Sequence, residues 1–255
     1  MNKILITLAA ALSLSTLPST SAEPLGELIQ PVDHAKVLKD PDWFIWGGSL
    51  CKDDQGTYHL LYARWPKKST FLGWLTHSEI ARATCDSPHG PFIHQDTILP
   101  ARDPKFWDGS ATHNPTVKRF KGKYYLYHIG NSGNGKVTRG YNFSHRNSNR
   151  IGVAVADHPS GPWKRFDTPL LDVSDDPKAP DALCVNNPAV AEMPDGRYLM
   201  IYKAVARQKP LPFGGPVYHM AAIAEKPEGP FVKQARAHLP LREIRLPRRG
   251  PLYLA

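Results

Sequence analysis

Three stretches decide the fold: Ser87-Pro88-His89-Gly90-Pro91-Phe92, His158-Pro159-Ser160-Gly161-Pro162-Trp163 and Lys226-Pro227-Glu228-Gly229-Pro230-Phe231. Each is preceded by a strand-like run of small residues, at 80–85, 151–156 and 220–225. Further upstream a glycine leads into an aromatic run, at 56–64, 122–130 and 196–204. Two of the units open alike, with His113-Asn114-Pro115-Thr116-Val117 and Asn186-Asn187-Pro188-Ala189-Val190; Trp46-Gly47-Gly48-Ser49-Leu50 takes that place in the first. Each unit therefore reads as four short strands, with the Gly-Pro pair making the tight turn before the outermost one. Four-stranded units repeated along one chain predict an all-β protein, a β-propeller with three blades.

Around this repeat the chain has two different ends. Met1-Asn2-Lys3, an apolar stretch from Ile4 to Leu14 and the small residues Thr20-Ser21-Ala22 read as a secretory signal peptide over 1–22, cleaved after Ala22. Export to the periplasm or the extracellular space follows. No later stretch approaches the roughly 18 apolar residues of a spanning helix, so no membrane span is expected. Residues 23–234 hold the repeat. Residues 235–255 lose strand alternation and carry five arginines against Glu243.

At about 70 residues per blade the exported chain accounts for roughly 3.3 blades, whereas propellers typically close with four to eight. Three blades would leave two open sheet edges. The expectation is a C-terminally truncated propeller with an out-of-frame tail. The alternative is a basic extension on a chain completed by a partner or by dimerisation.

Composition narrows the function. A hydrophobic share of 41%, with 6 Trp and 10 Tyr, excludes a disordered chain. Cys51, Cys85 and Cys184 cannot make a disulfide framework and lack metal-type spacing, so they read as buried thiols, with one incidental pair as the alternative. The net charge of +9 would suit nucleic acid, but much of it lies in the tail, and export argues against that partner. Asn142-Phe143-Ser144 matches a glycosylation sequon of a kind frequent by chance.

In a blade, the start of the first strand and the loop between strands two and three lie at one end. Asp42, Asp108 and His113 could converge there with Asn114 and Asn187, and a carboxylate facing a second acid or base is what glycosidic cleavage requires. Asx residues before proline are also ordinary turn formers. The loops 64–79, 131–150 and 203–219 carry ten lysines and arginines, Arg64, Arg139 and Lys203 among them, against the single acid Glu79. Trp46 and Trp74 offer aromatic faces to a sugar ring. Guanidinium groups clamp carboxylates and sulfates, so an anionic glycan is the natural partner. A solvated basic rim is the plainer explanation of the same residues.

These motifs, with Trp65-Pro66, Ser78-Glu79-Ile80, Trp107-Asp108-Gly109 and Tyr202-Lys203, resemble secreted bacterial glycosidase-like proteins related to glycoside hydrolase families 43 and 117. The similarity runs from about Asp40 to Gln234 and implies a five-bladed propeller acting on terminal sugars of plant or algal polysaccharides. It further implies a first-blade carboxylate base at Asp42, a second carboxylate at Asp108 and an acid role for His113. Trp46, Arg64, Trp74, Asn114, Arg139, Asn187 and Lys203 would bind the substrate. The chain departs from the family where Trp-Gly-Gly-Ser replaces the first-blade Asp-Pro and where Asn186-Asn187 stand in place of a third-blade glutamate. The implied mechanism is a single displacement between groups roughly 6.5–9.5 Å apart. No cofactor is expected, although a structural divalent cation is compatible with such propellers. A carbohydrate-binding propeller without catalysis, or an inactive fragment, is the competing reading.

Overall fold

The computed structural model describes residues 31–208 and 210–234, so the expected signal peptide and the basic tail lie outside the described residues. The chain divides after His34, and every strand among the described residues belongs to the second unit, Ala35–Ala255. That unit forms three four-stranded antiparallel sheets, each made of four consecutive strands. The first blade is β1 (Trp43–Lys52), β2 (Tyr58–Pro66), β3 (Glu79–Cys85) and β4 (Ile93–Leu99). The second is β5 (Ala111–Phe120), β6 (Lys123–Asn131), β7 (Arg150–Ala156) and β8 (Lys164–Arg165). The third is β9 (Cys184–Glu192), β10 (Tyr198–Val205), β11 (Val217–Ala224) and β12 (Val232–Lys233). A short helix α1 (Phe143–Asn147) lies in the loop between β6 and β7.

Neighbouring blades pack face to face. Leu61, Ile80 and Leu99 of the first blade meet Val117, Tyr124 and Leu126 of the second. Tyr127, Ile151 and Val153 of the second meet Val190, Met200 and Tyr202 of the third. Each fully buried leucine or isoleucine contributes about 2 kcal/mol. Buried tyrosines finish these contacts with directional bonds. Tyr124 donates to the Lys52 carbonyl at 2.9 Å, and Tyr127 donates to the Pro227 carbonyl at 2.7 Å.

The innermost strands share one irregularity. Pairing slips between Trp46 and Gly48 in β1, between His113 and Thr116 in β5, and at the equivalent point of β9 opposite Ile201 and Lys203. The bulged residues are left-handed: φ is 49° at Gly47, 49° at Asn114 and 51° at Asn187. Glycine and asparagine adopt this conformation at least cost, which explains the recurring Gly-Gly and Asn-Pro pairs. A bulge bends its strand and re-aims the adjacent side chains. All three occur at the same end of the blades.

Candidate functional site

The bulges surround a cavity of 290 Å³ at the channel mouth, lined in part by Trp46, Trp74, His113, Asn114, Asn187 and Lys203. Its walls are built by equivalent positions. Just before each bulge, the opening strand pairs across to the second strand as Trp46 with Ala63, His113 with Ile129, and Asn186 with Lys203. All six of these residues line the cavity. The long loops leave from this end, as expected, and a 3-10 turn at Phe71–Leu75 brings Phe71 and Trp74 to the cavity wall.

Hydrogen bonds hold the wall in place. Asn149 Nδ2 donates to Asn186 Oδ1 at 2.7 Å. Asn131 Nδ2 donates both to Asn149 Oδ1 at 3.2 Å and to the Leu75 carbonyl at 3.1 Å. The second blade is thereby tied to the third and to the turn that carries Trp74. Trp74 meets the His113 ring edge to face, with centroids 5.1 Å apart.

His113 is buried, with its Nδ1 3.3 Å from Asn114 Oδ1 and no partner at Nε2. Burial pushes its pKa down to about 4. With Asn114 Oδ1 accepting from Nδ1–H, Nε2 is left as a bare acceptor. At neutral pH such a ring takes a hydrogen bond from a ligand hydroxyl rather than giving up a proton. Lys203 is the cationic member of the cavity, and burial lowers its pKa as well. No carboxylate lines the cavity among the described residues.

Six of the ten residues picked out by sequence thus come together, and four do not. Asp42 is exposed ahead of β1, where its carbonyl accepts from the Lys67 N–H at 2.8 Å. Arg64 is engaged elsewhere: it donates to Glu79 at 2.8 Å and to Thr97 at 2.8 Å, and it lies over the Trp43 ring. Arg139 belongs to a neighbouring groove with Lys68, Thr70 and His77.

Asp108 is fully buried, away from the cavity lining. It accepts from Arg102 Nε at 2.6 Å and from Arg165 Nη1 at 3.4 Å, and His128 Nε2 stands 4.0 Å from it. Burial opposes its ionisation, but the His128 ring and the Arg102 guanidinium outweigh burial and hold the carboxyl below the ordinary range. Gly130 makes room for this seat, since a Cβ there would collide with Asp108 and Trp107.

The third blade repeats the arrangement. Asp181, six residues before Asn187 as Asp108 is before Asn114, is buried and accepts from Lys233 Nζ at 2.6 Å and from Tyr202 at 3.4 Å. Lys233 and Arg165 hold the same place after Gly-Pro-aromatic. The first blade has no such carboxylate and pairs Tyr62 with His94 at 2.9 Å instead. Asp108 is therefore one copy of a bond that ties the opening loop of a blade to its outer strand.

Sequence reasoning did not single out Trp65, Phe71, Ile129 and Asn186 as lining residues. Asn186 could have been found by its place beside Asn187, equivalent to His113 beside Asn114. Asn142 of the sequon is buried, with its amide donating to the Thr138 and Gly140 carbonyls. The three cysteines are free; Cys184 is buried and the other two half-buried, and burial pushes the Cys51 thiol up to about 12.

At the opposite end of the first blade, ligand atoms of Asp53, His59 and His158 lie within 4.8 Å of one another, a spacing compatible with a structural cation. Asp53 Oδ2 is 2.9 Å from His59 Nε2 and 3.3 Å from His158 Nε2. Arg82 sits 3.3 Å from His59 Nδ1, and the Ser160 N–H donates to His158 Nδ1 at 3.2 Å. Those donors leave both Nε2 atoms protonated toward Asp53. Burial would raise the Asp53 carboxyl, but hydrogen bonds from His59, Thr57 and His158 hold it at about 2.

No family model matches the chain, and no curated protein matches it. Solved structures do. A family 117 glycoside hydrolase, Zg3597 of the marine bacterium Zobellia galactanivorans, superposes with a TM-score of 0.62 at 20% identity, over 78% of this chain and 57% of that one. BT0996, solved in an RGII complex, gives 0.58 at 16% identity, over 78% and 59%. A further glycoside hydrolase gives 0.58 at 15% identity, with the same coverage. The fold is thus the propeller-type fold of glycoside hydrolases, and the chain spans less than three fifths of the length of these structures. Among the described residues no helix is long and apolar enough to cross a membrane.

Proposed function

We propose that this is an exported protein of the glycoside hydrolase type, which takes a terminal sugar of an anionic plant or algal polysaccharide into the channel-mouth cavity. One observation carries the reading: three blades of a glycosidase-type propeller contribute aromatic rings, amides, an imidazole and an ammonium to one small cavity. Rings that cover the faces of a sugar, with a few placed polar groups, are what a sugar site needs. Trp46 and Trp74 stack on the ring, Asn114 and Asn187 bond its hydroxyls, and His113 Nε2 accepts from one of them. Hydrolysis also needs a proton donor and a base, and the described cavity supplies His113 and Lys203 alone as titratable groups.

A second reading, binding without hydrolysis, is favoured by the lack of a carboxylate among the described lining residues. Titration of the full chain with a panel of plant and algal oligosaccharides, followed by Trp fluorescence and by chromatography of released sugars, separates the two. Binding with release supports the hydrolase, and binding without release supports the second reading. No binding to any member of the panel overturns both.

A further inference from the structure

Each blade gives the cavity the same two positions, and one of the six residues there carries a fixed charge. At the second-strand position the first two blades place Ala63 and Ile129, while the third places Lys203. An ammonium thus enters where the other blades present apolar side chains. No acid lines the cavity among the described residues, and among them the Lys203 ammonium has no hydrogen-bond or ion-pair partner. Burial lowers its pKa, against the opposing influence of the Cys184 thiol, and Arg146 repels it. A half-buried charge without a counter-ion costs free energy that an incoming anion would restore.

The surroundings point the same way. Arg139, Arg146 and Arg207 stand in loops at the cavity end that contain no acid, a field that draws anions inward. The 290 Å³ volume is at the small end of ligand sites and suits a single ring better than a long chain segment.

We infer that Lys203 selects the ligand, pairing with one anionic substituent, a carboxylate or a sulfate ester, on a sugar ring held among Trp46, Phe71 and Trp74. This rests on the reading of the cavity as a sugar site. One ammonium matches one negative charge, and the unpartnered Nε2 of His113 and the amides of Asn114 and Asn187 are left for neutral hydroxyls.

The test is calorimetric titration of the full chain with three disaccharides: one ending in glucuronic acid, its counterpart ending in glucose, and that counterpart sulfated at the terminal 6-position. At least one anionic probe should bind about tenfold or more tightly than the neutral one, as expected for a charge-assisted hydrogen bond. The preferred anion identifies the source of the charge. Lys203→Met should abolish the preference, so that the anionic probes bind no more tightly than the neutral one, and Lys203→Arg should retain it. Should Lys203→Met fail to fold by circular dichroism, Lys203→Gln replaces it, and the wild-type comparison already decides. Equal binding of all three by the wild type overturns the inference while leaving the sugar site intact. A preference that survives Lys203→Met overturns it too, and places the anion elsewhere. No binding of any probe overturns the inference together with the site.

Discussion

Asp108 and His113 are five residues apart, both buried, and both ahead of or within the same opening strand, yet they belong to different parts of the molecule. Asp108 has charged partners on both carboxylate oxygens, and its counterpart Asp181 one blade later is held through Oδ2, by Lys233 and Tyr202. His113 has an orphan Nε2, and its counterparts are Trp46 and Asn186, three unlike residues at one position. A partnered residue that repeats is architecture. A position that varies among blades around a cavity, with polar atoms left unpaired, is where the blades specialise.

The contrast can be broken most sharply at Asp108. Asp108→Asn leaves the Arg165 guanidinium without a carboxylate and Arg102 with only the exposed Asp167, and breaking a buried pair in this way costs about 3–5 kcal/mol. Urea denaturation should show a loss of that order, while the protein that remains folded should keep its oligosaccharide affinity. A variant of unchanged stability would put Asp108 outside the architecture.

His113 should be visible through pH. It stays neutral in the folded protein down to about pH 4 but is protonated in the unfolded chain below about 6.5. The unfolded state therefore binds the extra proton between these values, so stability rises with pH across that window and is fully present above it. The contribution lost at its lower edge is about 3 kcal/mol. His113→Gln should flatten the slope between denaturation curves at pH 4.5 and 7. An unchanged slope would mean that the ring titrates normally.

Smaller effects sharpen the same boundary. Asp181→Asn should destabilise by about 2 kcal/mol, less than Asp108→Asn, because its cation Lys233 is single and partly exposed to water. The comparison is again by urea denaturation. Trp74→Ala should barely move the melting temperature, yet it should weaken oligosaccharide binding about tenfold, as the loss of an aromatic anchor does.

Much of the fold was legible because propeller blades repeat. Gly-Pro-aromatic marked the three outer turns, and the aromatic and small-residue runs foretold β2, β3 and their counterparts to within a few residues at each end. The cavity end followed from strand direction alone, so Trp46, Trp74, Asn114, Asn187 and Lys203 could be placed there. What spacing could not reveal was partnership. Arg64 reads as a free cation until Glu79 and Thr97 are seen across the sheet. Asp108 reads as catalytic because a carboxylate at the start of an opening strand looks like function, although Asp181 with Lys233 was already present in the sequence as its echo. The bulges were hidden for a related reason. What unites Gly47 with Asn114 and Asn187 is a left-handed backbone rather than a residue type.

The most direct measurement is the oligosaccharide affinity of Asp108→Asn and Trp74→Ala, taken side by side on folded protein with the same ligand panel. Affinity retained by the first and lost by the second is the predicted result. The reverse, with binding lost at Asp108 and kept at Trp74, would contradict the division between the partnered frame and the open cavity.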